Sequence, residues 1–430
     1  MDPFLIAFLG LVAMFVLILL YVPVGISMLL VGTAGYAILE GVKPAISVLV
    51  TETIGTIESP SLAVIPLFLL MGSFATAGGL SAEIYRFANA MVGHRKGGLA
   101  MATMGGCGIF GAVCGSSTAT AATFGRVALP EMLAHNYAPH FAAGVIAAGG
   151  TLGSLVPPSV IMIIYAVVTQ ENILDLFMAA IVPAVLALIF HFMAIRLYLL
   201  KYPDAAPPGE HRSWREKFEA TAGAWAALVL LISILGGIYG GVVTVEEAAA
   251  GGAVLSLLFA IVRRRLTWAS FWSALVNSAA TTAMIYVIIF GASVFGYFIT
   301  IAGVPPALTS WVGGLGLSPI LIIFLLLVMY VIFGAIFDTV SAMLITLPFV
   351  LPIVLDLGYD PIWWGIINVV VVELGMITPP IGMNVFILHS LAPNISLSRI
   401  FAGVSPFVVS DLLRLIVLTL FPVLTLYFVY

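Results

Sequence analysis

Charge is what this chain has least of. Asp, Glu, Lys and Arg make up 8% of its 430 residues, against about 25% in soluble domains, too few to clothe a water-facing surface. Only two cysteines are present, Cys107 and Cys114. That number excludes a disulfide framework and a cysteine-based zinc centre, and both read as small buried residues in an apolar stretch. No basic face exists: the formal net charge is −4, which argues against neutralising nucleic-acid phosphates. His191 and His389 stand alone, without the spacing of a metal-binding pair, and His94, His135 and His140 read as interfacial residues. The opening Met1-Asp2-Pro3 lacks the basic region of a cleavable signal, so the first apolar run reads as a retained span. Segments of alternating polarity are missing too, which excludes a transmembrane barrel.

What the chain does have is apolar length. Hydrophobic residues make up 62% of it, its mean hydropathy is +1.22, and runs of about 20 apolar residues, enough to span a bilayer as a helix, recur throughout. Spans are expected at 4–21, 24–40, 60–79, 175–200, 218–240, 245–262, 273–303 and 405–428. Two stretches, 98–134 and 318–355, are long but broken in the middle, and two more spans, 142–168 and 361–390, are interrupted by Gly and Pro. The polar stretch 201–217 reads as a loop between halves. Segments 80–96 and 304–317, one before each broken stretch, read as arms, the first an amphipathic helix in the membrane interface.

Lysine and arginine placement gives the orientation. His94-Arg95-Lys96, the 201–217 loop, Arg263-Arg264-Arg265 and Arg399 fall on one side, the cytoplasm, while Glu40, Glu52, Glu58, Glu171, Asp175, Glu246, Glu247, Asp356 and Asp360 fall opposite. That separation holds only if 98–134 and 318–355 each enter and leave by the same face, as re-entrant hairpins. Both termini then lie outside.

The halves resemble each other. Ile109-Phe110-Gly111-Ala112 matches Ile332-Phe333-Gly334-Ala335; Leu129-Pro130 matches Leu351-Pro352; Leu152-Gly153 matches Leu374-Gly375; Pro157-Pro158 matches Pro379-Pro380; Pro183 matches Pro406. Each unit reads as span, hairpin, broken span, span. It crosses an odd number of times, so the two copies have inverted topology. The expected fold is therefore an all-α polytopic membrane protein of inverted repeats, with two re-entrant hairpins and two discontinuous helices. The division is 1–59, N-terminal scaffold helices; 60–200, first repeat; 201–272, linking loop and scaffold helices; 273–430, second repeat.

Inverted repeats with broken helices gather ligand sites near the midplane, because unpaired backbone survives at membrane depth only inside protein or against a cavity. The breaks carry Gly115, Ser116, Ser117 and Thr118; Thr151, Gly153, Ser154, Pro157 and Pro158; Asp338 and Thr339; and Glu373, Gly375, Thr378, Pro379, Pro380 and Asn384. Glycine permits the turn and proline stops the helix. Freed carbonyls, hydroxyls and carboxylates suit a hard cation such as sodium, with Ser116, Gly153, Asp338, Thr339, Glu373 and Thr378 as candidate ligands. Freed amides suit a carboxylate. A single Gly-Ser pair would indicate only close helix packing; four breaks in matching pairs point to a binding pocket. Asp338 and Glu373 are read as the only acids deep in the membrane, a position usually functional. Arg126 reads as snorkelling to the interface or meeting a substrate carboxylate, and Asp411 as pairing with Arg414.

At the hairpin tips and Pro-Pro breaks the chain resembles, over essentially its whole length, the large membrane subunit of tripartite ATP-independent periplasmic (TRAP) transporters. The specific pieces are Gly115-Ser116-Ser117, Leu152 to Ser159, Asp338-Thr339 and Glu373 to Asn384. The resemblance implies an elevator-type, sodium-coupled importer of organic acids in a bacterial or archaeal inner membrane, with C4-dicarboxylates, sialic acid and related carboxylates as substrate classes. It implies two partners, a small four-helix membrane subunit and a periplasmic substrate-binding protein, and no cofactor beyond sodium as coupling ion. Cys114 departs from the serine of many relatives and is left out of the candidate site. Two alternatives stand beside this reading. One is a stand-alone sodium-dicarboxylate symporter of related architecture. The other is a proton-translocating subunit of a respiratory complex, against which the lack of any lysine inside a span counts. A third alternative, an intramembrane protease, would need two paired aspartates, or Ser with His, at membrane depth, and Asp338 has no aspartate partner there.

Overall fold

The computed structural model describes residues 2–209 and 213–430; residues 210–212 of the expected 201–217 loop, and Met1, lie outside the described residues. Among the described residues every regular element is a helix. The chain opens with α1 (Pro3–Leu19), α2 (Val24–Glu40) and α3 (Val42–Glu58). The first repeat follows as α4 (Pro60–Ala77), the arm α5 (Leu80–Val92), the hairpin α6 (Gly98–Cys114) and α7 (Ser117–Ala134), the broken pair α8 (Pro139–Leu155) and α9 (Val160–Thr169), and α10 (Ile173–Lys201). Then come α11 (Trp214–Gly223), α12 (Trp225–Tyr239) and α13 (Val245–Val262). The second repeat runs α14 (Trp268–Ile301), α15 (Val304–Gly314), the hairpin α16 (Pro319–Ile336) and α17 (Thr339–Asp356), the broken pair α18 (Pro361–Gly375) and α19 (Met383–Leu391), and α20 (Leu397–Leu420), before a last turn, α21 (Val423–Leu426).

Three boundaries differ from the sequence reading. Helix α3 was not anticipated, because Lys43, Glu52, Glu58 and several threonines interrupt any apolar run; most of its length is exposed. The span expected at 218–240 is two helices bent by 59°. A capping box, in which Ser213 and Glu216 satisfy each other's amides, starts α11, whose Trp214 and Phe218 are exposed, and α12 alone is strongly apolar. The last span begins at Leu397 rather than 405. Pro406 sits inside α20 instead of opening it, as membrane helices tolerate when neighbours satisfy the freed groups. Helix α14, capped by Thr267, is 34 residues long, about 51 Å at 1.5 Å per residue, so its first turns overrun a bilayer core of about 30 Å.

Each hairpin folds around the broken helix that follows it: α6 and α7 pack on α8, α16 and α17 on α18, and α19 reaches across to α7 and α8. The repeat shows in glycine pairs. A Cβ on Gly111 would sit 2.7 Å from Gly153 Cα, and one on Gly375 2.5 Å from Gly334 C, so in both halves the ascending hairpin arm touches the break backbone to backbone. Helix α2 lies as closely on α14, where Cβ atoms on Gly25 and Gly32 would come within 2.7 Å of the α14 backbone at Ile288 and Phe295. Helices α2, α4, α13 and α14 form a connected layer beside the hairpins.

The arm α5 bridges the two parts. Its Glu83 pairs with Arg263 just after α13, and its Asn89 Nδ2 donates to Glu131 Oε1 of α7 at 3.1 Å. On the far side of the hairpins α10 meets α20 through a buried cluster. His191 Nε2 lies 3.1 Å and Arg414 Nη2 3.0 Å from Asp411 Oδ1, all at most 2% exposed. The expected Asp411–Arg414 pair is therefore joined by His191, which is not isolated. Asp338 and Glu373 are also not the only deep acids. Sequence distance hides this contact, since 220 positions separate His191 from Asp411.

Candidate functional site

At the first hairpin tip the chain reverses at Gly115, whose φ of 64° is costly for any residue with a Cβ. Ser116 then caps α7, its hydroxyl accepting from the Ala119 amide at 3.4 Å and lying 3.3 Å from the Thr118 hydroxyl. The tip is tied to the first break by two contacts: the Ser117 amide donates to Ser154 Oγ at 3.0 Å, and the Val160 amide to the Gly115 carbonyl at 3.3 Å. Between α8 and α9, bent by 40°, Pro157 and Pro158 supply no amide hydrogens. Ser159 Oγ donates to the Ser154 carbonyl at 2.5 Å.

The second tip uses a carboxylate where the first uses a hydroxyl. Asp338 caps α17: its Oδ1 accepts from the Val340 and Ser341 amides at 3.1 Å each, and its Oδ2 from Ser341 Oγ at 2.5 Å. The adjacent Thr339 hydroxyl donates to Glu373 Oε1 at 3.0 Å. The Ile381 and Gly382 amides return to the Ala335 carbonyl at 3.2 and 3.3 Å, the counterpart of the Val160–Gly115 contact.

The two tips face one cavity of about 190 Å³, whose wall includes Gly115, Ser116, Ser117, Thr118, Ser154, Asp338 and Thr339. Behind it the halves interlock: Asn384 Nδ2 of α19 donates to Ser117 Oγ at 2.9 Å and to the Ala147 carbonyl at 3.2 Å. Glu373, 2% exposed, faces the Ser117 and Ser154 hydroxyls as well as Thr339. Gly153 and Gly375 hold the close backbone contacts described above. Other candidates lie further out. The Thr151 hydroxyl donates within its own helix to Ala148 O at 2.7 Å, and Thr378 likewise to Leu374 O at 2.7 Å. Pro157 and Pro158 are buried in their break, whereas Pro379 and Pro380 are exposed. Arg126 is exposed on α7, with no polar partner among the described residues.

Three buried oxygens around the tips have no hydrogen-bond partner among the described residues: Glu373 Oε2, Asn384 Oδ1 and Thr120 Oγ1. A buried acceptor left so is costly unless something else fills its coordination. Thr120 was not singled out from the sequence. The signal was there, one helical turn after Ser116, where α7 turns a hydroxyl towards Gly153. The scaffold contribution was missed as well. Thr281 and Met284 of α14 close the cavity. A second cavity of about 420 Å³ leads from Ser116 and Thr118 between Ser73 and Thr76 of α4 and Asn277 and Thr281 of α14. Ser73 Oγ and Ser278 Oγ, 3.1 Å apart, bridge the two scaffold helices beside it.

The profile of a family described as "Tripartite ATP-independent periplasmic transporter, DctM component" matches residues 11–424. A protein of Pseudomonas aeruginosa named C4-dicarboxylate TRAP transporter large permease protein DctM is 36% identical over 372 residues, 86% of each chain. A protein of Vibrio cholerae named sialic acid TRAP transporter large permease protein SiaM is 29% identical over 410 residues, 94% of each chain. Among solved structures, the YdaH transporter of Alcanivorax borkumensis superposes with a TM-score of 0.62 over 89% of each chain at 16% identity, a likeness of fold.

Proposed function

The chain belongs to the DctM-component family of tripartite ATP-independent periplasmic transporters, as a multi-pass inner-membrane large permease subunit rather than an enzyme, and from that membership we propose that it imports an organic acid by sodium-coupled elevator transport. The cargo class is a small carboxylate, as the relatives' names suggest, with a C4-dicarboxylate or a sialic-acid-like sugar acid as the leading candidates. The acid arrives on a periplasmic binding protein, and a small four-helix membrane subunit completes the complex.

One observation carries the reading. Two hairpin tips and two broken helices converge on a cavity backed by a buried carboxylate with an unpartnered oxygen, Glu373 Oε2, in the company of Asn384 Oδ1 and Thr120 Oγ1. Oxygen donors of this kind suit a hard cation. The sodium ligands are drawn from Ser116, Gly153, Asp338, Thr339, Glu373 and Thr378, with Thr120 and Asn384 added. A cation held there offsets the charge of an incoming carboxylate, which reaches the hydroxyls of Ser116 and Thr118 in the cavity wall. Elevator movement is supported by the division between the interlocked hairpin body and the α2–α4–α13–α14 layer, by the polar cavity between them, and by the arm α5, anchored to both through Glu83 and Asn89.

The test is uptake into proteoliposomes holding the large and small subunits, with the cognate binding protein and a panel of radiolabelled carboxylates. A single acid should accumulate only when an inward sodium gradient is present. Accumulation driven equally well by a proton gradient without sodium, or without the binding protein, would overturn the proposal.

A further inference from the structure

A cavity of about 930 Å³ opens away from the hairpin tips, where the end of α10 and the following Pro203–Ala205 turn meet the start of α8 and the middle of α20. Two opposite charges line it, Lys201 and Asp204. Among the described residues neither has an ion pair or side-chain hydrogen bond, and Lys201 Nζ lies 5.5 Å from the centre of the Tyr202 ring. His140 Nε2 and Tyr198 Oη, 3.0 Å apart, add two further polar groups to the wall.

Below this mouth runs an apolar groove of about 250 Å³ that shares Tyr198, Pro406 and Val409 with the cavity and continues between Met193, Leu197 and Leu413. These side chains are exposed on the outer flank of two spanning helices: Leu197 by 59%, Val409 by 56%, Leu413 by 51%. From Phe190 to Lys201 the groove and the cavity above it together follow α10 for about 16 Å, close to the roughly 15 Å of hydrocarbon in one leaflet.

We propose that this groove binds one zwitterionic phospholipid of the ethanolamine class, its phosphate toward Lys201, its ammonium toward Asp204 and an acyl chain along Leu197 and Leu413. An exposed apolar flank on spanning helices faces the bilayer, and basic pockets between membrane helices take lipid head groups. The acid decides the class. A purely anionic head group would satisfy Lys201 and be repelled by Asp204, whereas a phosphate followed by a primary ammonium makes a charge-assisted contact with each.

Native mass spectrometry of the delipidated complex, titrated with phosphatidylethanolamine or phosphatidylglycerol, tests this. One phosphatidylethanolamine should be retained at collision energies that strip phosphatidylglycerol. Asp204→Ala should lower its occupancy about fivefold, the loss of one charge-assisted contact, without lowering that of phosphatidylglycerol. Val409→Trp places a large ring at the junction of mouth and groove from an exposed position, and should abolish retention. Equal retention of the two lipids by the unaltered protein overturns the head-group assignment, and retention unchanged in both variants overturns the site.

Discussion

Asn384 donates through Nδ2 to the Ser117 hydroxyl at 2.9 Å, joining the broken helix of the second repeat to the hairpin tip of the first. The contact spans the pseudo-symmetric halves at the point where both are interrupted. It orients the Ser117 hydroxyl and leaves Asn384 Oδ1 buried without a protein partner. Asn384→Ala removes two buried hydrogen bonds, each of about 1 kcal/mol. The variant should reach the membrane in normal amounts, yet its maximal uptake rate should fall at least about tenfold, the equivalent of 1.4 kcal/mol. Uptake at saturating sodium and substrate checks this.

Asp338 has two separable roles. As a cap its Oδ1 accepts two amides, which asparagine also does; as a charge it is unique to the second tip. Asp338→Asn should therefore fold normally and require more sodium for half-maximal uptake. Asp338→Ala should in addition lose about 1 kcal/mol of stability with the cap, read as a lower melting temperature in detergent.

Topology can be tested at exposed positions. Tyr137 is buried, but its neighbour Asn136 is exposed, as is Asp356 at the matching end of the second hairpin. With Cys107 and Cys114 replaced by serine, Asn136→Cys should react with a membrane-impermeant maleimide only from the cytoplasmic side and Asp356→Cys only from outside. Labelling of both from one side contradicts inverted repeats.

The His191–Asp411–Arg414 cluster binds α10 to α20 and lies near enough for the Asp411 charge to act on Glu373. Asp411→Ala leaves Arg414 buried without its counter-ion, a loss of about 3–5 kcal/mol. The amount of folded protein should drop sharply, as read by the yield of monodisperse protein in detergent. An unchanged yield would contradict a structural role for the pair.

The backbone breaks were the most legible part of the sequence because glycine and proline announce themselves. Gly115, Asp338 and both Pro-Pro pairs fall where helices stop, and repetition in two copies separated them from ordinary packing residues. Helix α3 was hidden because its sequence is too polar for a span and too apolar for a loop, and the α11–α12 bend because the apolar run of α12 extends an apparent span back over the end of α11. Pro406 misplaced the start of α20, since a proline inside a membrane helix reads like one at its beginning. Thr120 and Thr281 were passed over because a threonine on an apolar helix looks the same whether it packs or faces a cavity. The His191–Asp411 contact needs the tertiary fold to be seen at all.

The central claim is that Glu373, held by Thr339 at one oxygen and unpartnered at the other, is part of the sodium site. Glu373→Gln keeps the acceptor for Thr339 and removes only the charge. The decisive measurement is the sodium concentration for half-maximal uptake in proteoliposomes of Glu373→Gln against the unaltered protein. A rise of at least about tenfold, 1.4 kcal/mol of lost ion binding, is the expected result; an identical sodium curve in a normally folded variant would contradict it.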